Sequence, residues 1–125
     1  MPRSKTPHLT EGELRLMKVL WRRGTATVGQ VVDELPADPP VAYTTVLTLL
    51  RILEQKGYVK HAKQGRAFVY RPLVGSEEAS SKAIHHLLSR FFGGSASQLV
   101  LKLIDEKKID AAELKRIKKK ISESQ

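Results

Sequence analysis

The groups in this chain best suited to chemistry are hydrogen-bonding and cationic side chains at helical spacing. Between Ala42 and Lys56 the residues AYTTVLTLLRILEQK read as a helix that stops at Gly57. At about 100° per residue, Ala42, Val46, Leu49, Leu50 and Leu53 gather on one side. Thr44, Thr48, Arg51 and Gln55 face away from them, Thr45 and Leu47 lie on the flanks, and Tyr43 sits near the N-terminal edge. The outward face thus offers hydroxyls, a guanidinium and an amide, without a carboxylate. An arginine can pair with guanine, a threonine can bond to bases or phosphates, and a leucine or threonine methyl can touch a thymine methyl. Threonine is a poor helix former, so propensity does not account for its repetition here. The same residues also fit an ordinary polar surface, with Thr44 and Thr45 serving the helix start.

After Gly57 the period changes to two. Tyr58 to Lys63 reads as a strand, Gln64-Gly65-Arg66 as a turn, and Ala67 to Arg71 as the returning strand. Lys63 and Arg66 stand at the tip of this hairpin, with Lys60 and His61 nearby. Such a wing suits phosphates or a minor groove, and it equally suits a solvated charged turn. Phe68 and Tyr70 are expected to seal the small core on one face. The candidate DNA-binding residues are therefore Tyr43, Thr44, Thr45, Leu47, Thr48, Arg51, Lys63 and Arg66.

Other chemistries find little support. There is no Ser-His-Asp set, no phosphate-cradling glycine loop and no metal-ligand cluster in the sequence. Cysteine is absent, which excludes disulfides, thiol catalysis and cysteine-ligated metals. His85 and His86 are adjacent, so on a helix they point about 100° apart and cannot share a metal in the usual i, i+4 manner. No catalytic residue, metal or cofactor is expected.

The elements that position these groups can be read from caps and breakers. Thr10 and Glu13 make a capping box for a first helix that carries Leu14, Met17, Val19, Leu20 and Trp21 and stops at Gly24. Thr27 and Gln30 make a second box, followed by Val28, Val31, Val32 and Leu35, and Pro36 ends that helix. Helix, helix, helix, hairpin is the order of a winged helix-turn-helix. A small α+β domain without a nucleic-acid role has the same order. From Ser76, Ala79, Ala83, Ile84, Leu87, Leu88, Phe91 and Phe92 recur at spacings of three and four, until Gly93-Gly94 interrupts. Leu99, Val100, Leu101, Leu103 and Ile104 open another helix, with Ser97 as its expected cap. A last helix begins near Asp110 and shows Leu114, Ile117 and Ile121 on one stripe.

The 125 residues bound the chain to one domain, or one small domain with an appendage. A formal charge of +9 favours a polyanionic partner. The basic excess is larger through Val74 than after it. No apolar run reaches the ~18 residues of a membrane span, and no apolar segment of a secretion signal follows the charged start. The expectation is a cytoplasmic binding protein with no membrane partner.

Four segments in this order, LTEGELRLMKVLW, TVGQVVDEL, AYTTVLTLLRILEQKGYV and GRAFVYRPLV, resemble the penicillinase-repressor family of bacterial transcription regulators. The resemblance is close from Leu9 to about Val74 and looser to about Ile121. It implies a mainly α fold with a small β-hairpin wing: a flexible arm over 1–8, a winged helix-turn-helix over 9–74 and a helical dimerisation domain over 75–125. It also implies a homodimeric repressor on an inverted-repeat, double-stranded DNA operator. Carried across, the family's recognition helix falls on Ala42 to Lys56, with DNA-facing positions at Tyr43, Thr44, Leu47, Thr48 and Arg51. Some members place a basic residue where this chain has Thr44 or Leu47, which makes the base contacts here fewer or more apolar. A protein-interaction adaptor on the same scaffold is the alternative function.

The C-terminal helices lack neighbours enough to cover their apolar faces, so a partner copy is expected over Leu87, Leu88, Phe91, Phe92, Leu99, Val100, Leu103, Leu114, Ile117 and Ile121. Folding back onto the N-terminal domain would cover them too. Resistance-linked family members lose repression when a signalled protease cuts an Asn-Phe bond. The matching position here is Lys102-Leu103. A copper-responsive branch uses a C-terminal cysteine cluster that this chain lacks. The protease or inducer acting on this chain is left unidentified by its sequence.

Overall fold

A computed structural model of the chain describes residues 8–125. Most of the expected 1–8 arm lies outside the described residues. The chain divides into two compact units, Met1–Ile84 and His85–Gln125.

In the first unit, α1 spans Glu11–Arg23 and opens on the expected capping box. The Thr10 hydroxyl accepts from the Glu13 amide at 3.3 Å, and the Glu13 carboxylate accepts from the Thr10 amide at 2.9 Å. Gly24, at φ 89°, ends the helix where a side chain would be strained. A second box on Thr27 and Gln30 opens α2, Val28–Glu34. The third helix, α3, spans Tyr43–Gln55 with Ala42 as N-cap and no side-chain capping bond. Thr44 and Thr45 therefore do not cap it.

Between α1 and α2 the residues Ala26–Thr27 form a short strand, β1, which the sequence reading missed. The hairpin strands are β2, Val59–Gln64, and β3, Ala67–Pro72. All pairing is antiparallel in the order β1-β3-β2, so β3 is the central strand of a three-stranded sheet, with β1 and β2 at its edges. Gln64 pairs with Ala67, leaving Gly65-Arg66 as a two-residue turn. Such turns require positive φ at the first central position, and Gly65 supplies 65°.

The core joins Leu16, Met17 and Leu20 of α1, Val31 of α2, Val46, Leu50 and Leu53 of α3, Tyr58 just ahead of β2, and Val59 and Tyr70 of the sheet. The wheel of α3 is largely borne out: Val46, Leu50 and Leu53 are buried, and Leu49 is half-buried. Ala42 is exposed rather than buried, because as N-cap it precedes the first turn that reaches the core. Leu16 is buried although the predicted stripe omitted it.

The fourth helix, α4, spans Ser76–Phe91. In the second unit, α5 spans Ala96–Asp105 and α6 spans Ala111–Ser124. The cap of α5 is Ser95, not Ser97: its hydroxyl accepts from the Gln98 amide at 3.1 Å. Gly93 and Gly94 both take positive φ, and that turn brings the chain into helix two residues earlier than the apolar run suggests. Asp110 and Glu113 form the expected capping box of α6. No helix is long and apolar enough to cross a membrane among the described residues.

Candidate nucleic-acid interface

Burial of Val46, Leu50 and Leu53 turns the opposite side of α3 outward. Tyr43, Thr44, Thr45, Thr48, Arg51 and Gln55 are exposed, and Leu47 is half-buried against the core. Thr44, Thr48, Arg51 and Gln55 make one continuous polar face, with Thr45 and Leu47 on its flanks. The Thr48 hydroxyl donates to the Thr44 carbonyl at 2.9 Å, so its remaining capacity is to accept. Among the described residues Arg51 forms no ion pair with a carboxylate. Its donors are therefore available to an external acceptor.

The one carboxylate in α3 is Glu54. It is occupied: His61 Nδ1 lies 2.6 Å from Glu54 Oε1. This contact joins α3 to β2, and so ties the polar helix to the wing. The His61 ring also packs on Phe68 and Tyr70, with centroids 5.1 and 5.4 Å away. Directly opposed residues share a face of a sheet. His61 and Lys63 thus lie on the same face as Phe68 and Tyr70, while Lys60 and Arg71 oppose each other on the reverse face. Burial pushes the Tyr70 hydroxyl above its ordinary range, Glu54 and Tyr43 add to that, and Arg51 opposes it. Tyr70 is buried as expected, but Phe68 is 47% exposed and does not seal the core. It lies toward the turn of the hairpin, opposite Lys63 and away from the Val59–Pro72 end.

Lys63 and Arg66 are exposed at the tip. The structure adds Lys60 and Arg71, a cross-strand pair of like charges, which is unfavourable without an anion nearby. The sequence reading missed this pair because register follows turn length, and the turn is Gly65-Arg66 rather than the three residues Gln64-Gly65-Arg66. Lys56, by contrast, is withdrawn from the surface. Its Nζ lies 2.7 Å from Glu13 Oε1, with the side chains 9% and 3% exposed. Glu13 thus serves twice, as capping residue of α1 and as anchor for the end of α3. Distant pairing of this kind leaves no spacing signal in a sequence.

Two arginines of α1, Arg22 and Arg23, hold Glu34 of α2 at 2.8 and 2.6 Å. Those hydrogen bonds keep the Glu34 carboxyl below its ordinary range. They brace the helix pair ahead of α3.

In the second unit, the expected interface residues are all reachable. Leu87, Phe91, Val100, Ile117 and Ile121 are exposed, and Leu88, Phe92, Leu99, Leu103 and Leu114 are half-buried. Neither α5 nor α6 has a buried residue. Leu101 and Ile104 are also exposed, at 54% and 36%. No group of His, Asp and Glu fit to hold a metal occurs among the described residues.

The family model "Penicillinase repressor" matches residues 9–123. The penicillinase repressor of Bacillus licheniformis is 29% identical over 113 residues, covering 90% of this chain and 88% of that protein. The methicillin resistance regulatory protein MecI of Staphylococcus aureus strain N315 is 21% identical over 115 residues, 92% of this chain and 94% of its own. Among solved structures, the DNA-binding domain of the repressor BlaI superposes with TM-score 0.52 at 33% identity. It covers 61% of this chain and 93% of that domain. The monomeric form of Bacillus licheniformis BlaI, in complex with the blaP half-operator, gives TM-score 0.50 at 34% identity, over 59% of this chain and 90% of that one. The fold is that of a winged-helix domain followed by further helices.

Proposed function

We propose that this chain, which belongs to the penicillinase-repressor family, is a sequence-specific DNA-binding transcriptional repressor. The observation that carries this reading is the outward face of α3. There Thr44, Thr48, Arg51 and Gln55 are exposed over a buried Val46-Leu50-Leu53 stripe, and the single carboxylate is paired with His61. In this reading α3 enters a major groove, with Tyr43, Thr44, Thr45, Leu47, Thr48 and Arg51 along the base edges. Lys63 and Arg66 meet phosphate at the wing, joined by Lys60 and Arg71.

The finer parts of the reading rest on the second unit. Its uncovered apolar helices favour a homodimer, since apolar area of this kind is buried by a partner in stable proteins. Two copies related by a two-fold axis would take an inverted-repeat operator, with half-sites about one helical turn apart. The residues from 75 onward then serve dimerisation. Release by a protease would need a cleavage site other than an Asn-Phe bond, because Lys102-Leu103 stands at that position. A cytoplasmic location follows from this function.

The test is selection of bound duplexes from a random DNA pool, followed by sequencing. Enrichment of an inverted repeat is the expected result. Binding without enrichment would point to a nonspecific role, and no binding at low salt would favour the protein-interaction adaptor.

A further inference from the structure

We propose that Trp21, Tyr58 and Lys82 form a lock that fixes the direction in which the chain leaves the winged-helix unit. This lock sets the operator half-site spacing that the protein accepts. The proposal rests on the dimeric-repressor reading above.

Three independent contacts converge on the exit from β3. The Trp21 indole Nε1 donates to the Val74 carbonyl at 2.9 Å, across 53 positions of sequence. The amides of Leu73 and Val74 both donate to the Tyr58 carbonyl, at 2.7 and 3.4 Å. The Lys82 ammonium stands 5.1 Å from the centroid of the Tyr58 ring, within the range of a cation–π contact. Glu78, one turn earlier in α4, lies 3.9 Å from the same ammonium. Val74 and Ala79 are 6% and 7% exposed and belong to the core cluster. The first turns of α4 are therefore packed onto the unit rather than tethered to it, and that unit runs to Ile84.

Tyr58 gives the lock its meaning. It is 1% exposed and follows α3 directly after the Gly57 turn. The segment that leaves β3 is thus held by the same residue that follows the recognition helix. A change in the direction of exit must break a bond to Tyr58 or to Trp21. Modules joined by a soft linker tolerate a range of separations, because effective concentration varies slowly with span. A stiff connection tolerates a narrow range.

The experiment compares wild type with Trp21→Phe and, separately, Lys82→Gln. The probes are the inverted-repeat duplex recovered by selection, the same duplex with its centre lengthened or shortened by one and two base pairs, and a single half-site. Wild type is expected to lose about tenfold in affinity for each base pair of altered spacing. The variants should keep half-site affinity within about twofold, while the spacing penalty shrinks to about threefold or less. A merely structural role would lower half-site affinity and leave the penalty unchanged. Retention of the wild-type penalty by the variants overturns the lock, as does a wild type indifferent to spacing. Should Trp21→Phe fail to fold, Lys82→Gln decides by the same readout, since that side chain is 37% exposed. Failure to recover any inverted repeat removes the dimeric reading and the lock with it, an outcome distinct from an unchanged penalty.

Discussion

Replacing Lys56 with Met should destabilise the winged-helix unit far more than a surface substitution does. The ammonium and the Glu13 carboxylate are 2.7 Å apart, and their side chains are 9% and 3% exposed. Met keeps the aliphatic stem and removes the charge. Glu13 then retains its hydrogen bond from the Thr10 amide at 2.9 Å, but its charge is left buried without a counter-ion. Breaking such a pair from one side costs about 3–5 kcal/mol, a large share of the ~5–15 kcal/mol that holds a small domain together. Glu13→Gln should cost a similar amount, because the amide oxygen can still cap Thr10 while the Lys56 ammonium is stranded. The double variant Glu13→Gln/Lys56→Met strands neither charge. It should be less destabilised than the two single losses added together, by at least about 1 kcal/mol. Urea unfolding followed by fluorescence of Trp21, the chain's single tryptophan, measures all four proteins. A cost below about 1 kcal/mol for Lys56→Met, or simple additivity in the double variant, would refute the argument that burial makes this pair indispensable.

Arg51→Ala should cost about 1–3 kcal/mol on the selected operator and little on random duplex. Lys63→Ala should weaken both alike and reduce the salt slope by about one; competition anisotropy at several salt concentrations separates them, and equal losses for both variants on both DNAs would contradict the role of Arg51. Hydrogen bonds from Arg22 and Arg23 keep the Glu34 carboxyl below 4.5 when folded. Its contribution to stability is therefore fully present above about pH 4.5 and is lost as pH falls through the lowered folded value. The stability gap between wild type and Glu34→Gln should shrink on acidification, and a gap independent of pH would speak against this pairing. Leu103→Asp places a carboxylate on a half-buried apolar position of α5 and, on the dimeric reading, should raise the dimer dissociation constant at least about tenfold. Sedimentation equilibrium gives the answer, and an unchanged constant would take Leu103 out of the interface.

The helices were legible because their ends are written in local chemistry. Thr10 with Glu13, Thr27 with Gln30, and Asp110 with Glu113 each satisfy their own helix start, so each is visible within four residues of sequence. The outward face of α3 was legible because burial at Val46, Leu50 and Leu53 dictates what points away. What escaped was non-local or too short to have a period. The two residues of β1 acquire strand geometry only by pairing with Val69 and Tyr70. The Glu13–Lys56, Glu54–His61 and Trp21–Val74 contacts join residues distant in the sequence or in different elements. Each depends on how helices and sheet are stacked, which no helical or strand period encodes. Ser95 was missed because the cap of α5 is chosen by the double-glycine turn before it, not by the apolar residues after it.

On the proposed reading, the contacts around α3 bear on what its outward face would discriminate. An unpaired Glu54 would present a carboxylate beside the polar face and repel phosphate; the bond from His61 engages it and ties the wing strand to the helix in the same step. One turn back from Glu54, Arg51 presents only donors and has no carboxylate partner among the described residues, which suits the two acceptors of a guanine edge. One turn before Arg51, the Thr48 hydroxyl has spent its hydrogen on the Thr44 carbonyl. What it offers is lone pairs, and these match the amino group of adenine or cytosine. The face is therefore polarised along its length, with an acceptor nearer the start of the helix and a donor fork nearer its end. A DNA site read in the proposed way would present an amino group where Thr48 lands and a guanine where Arg51 lands. A face of interchangeable polar side chains would carry no such order.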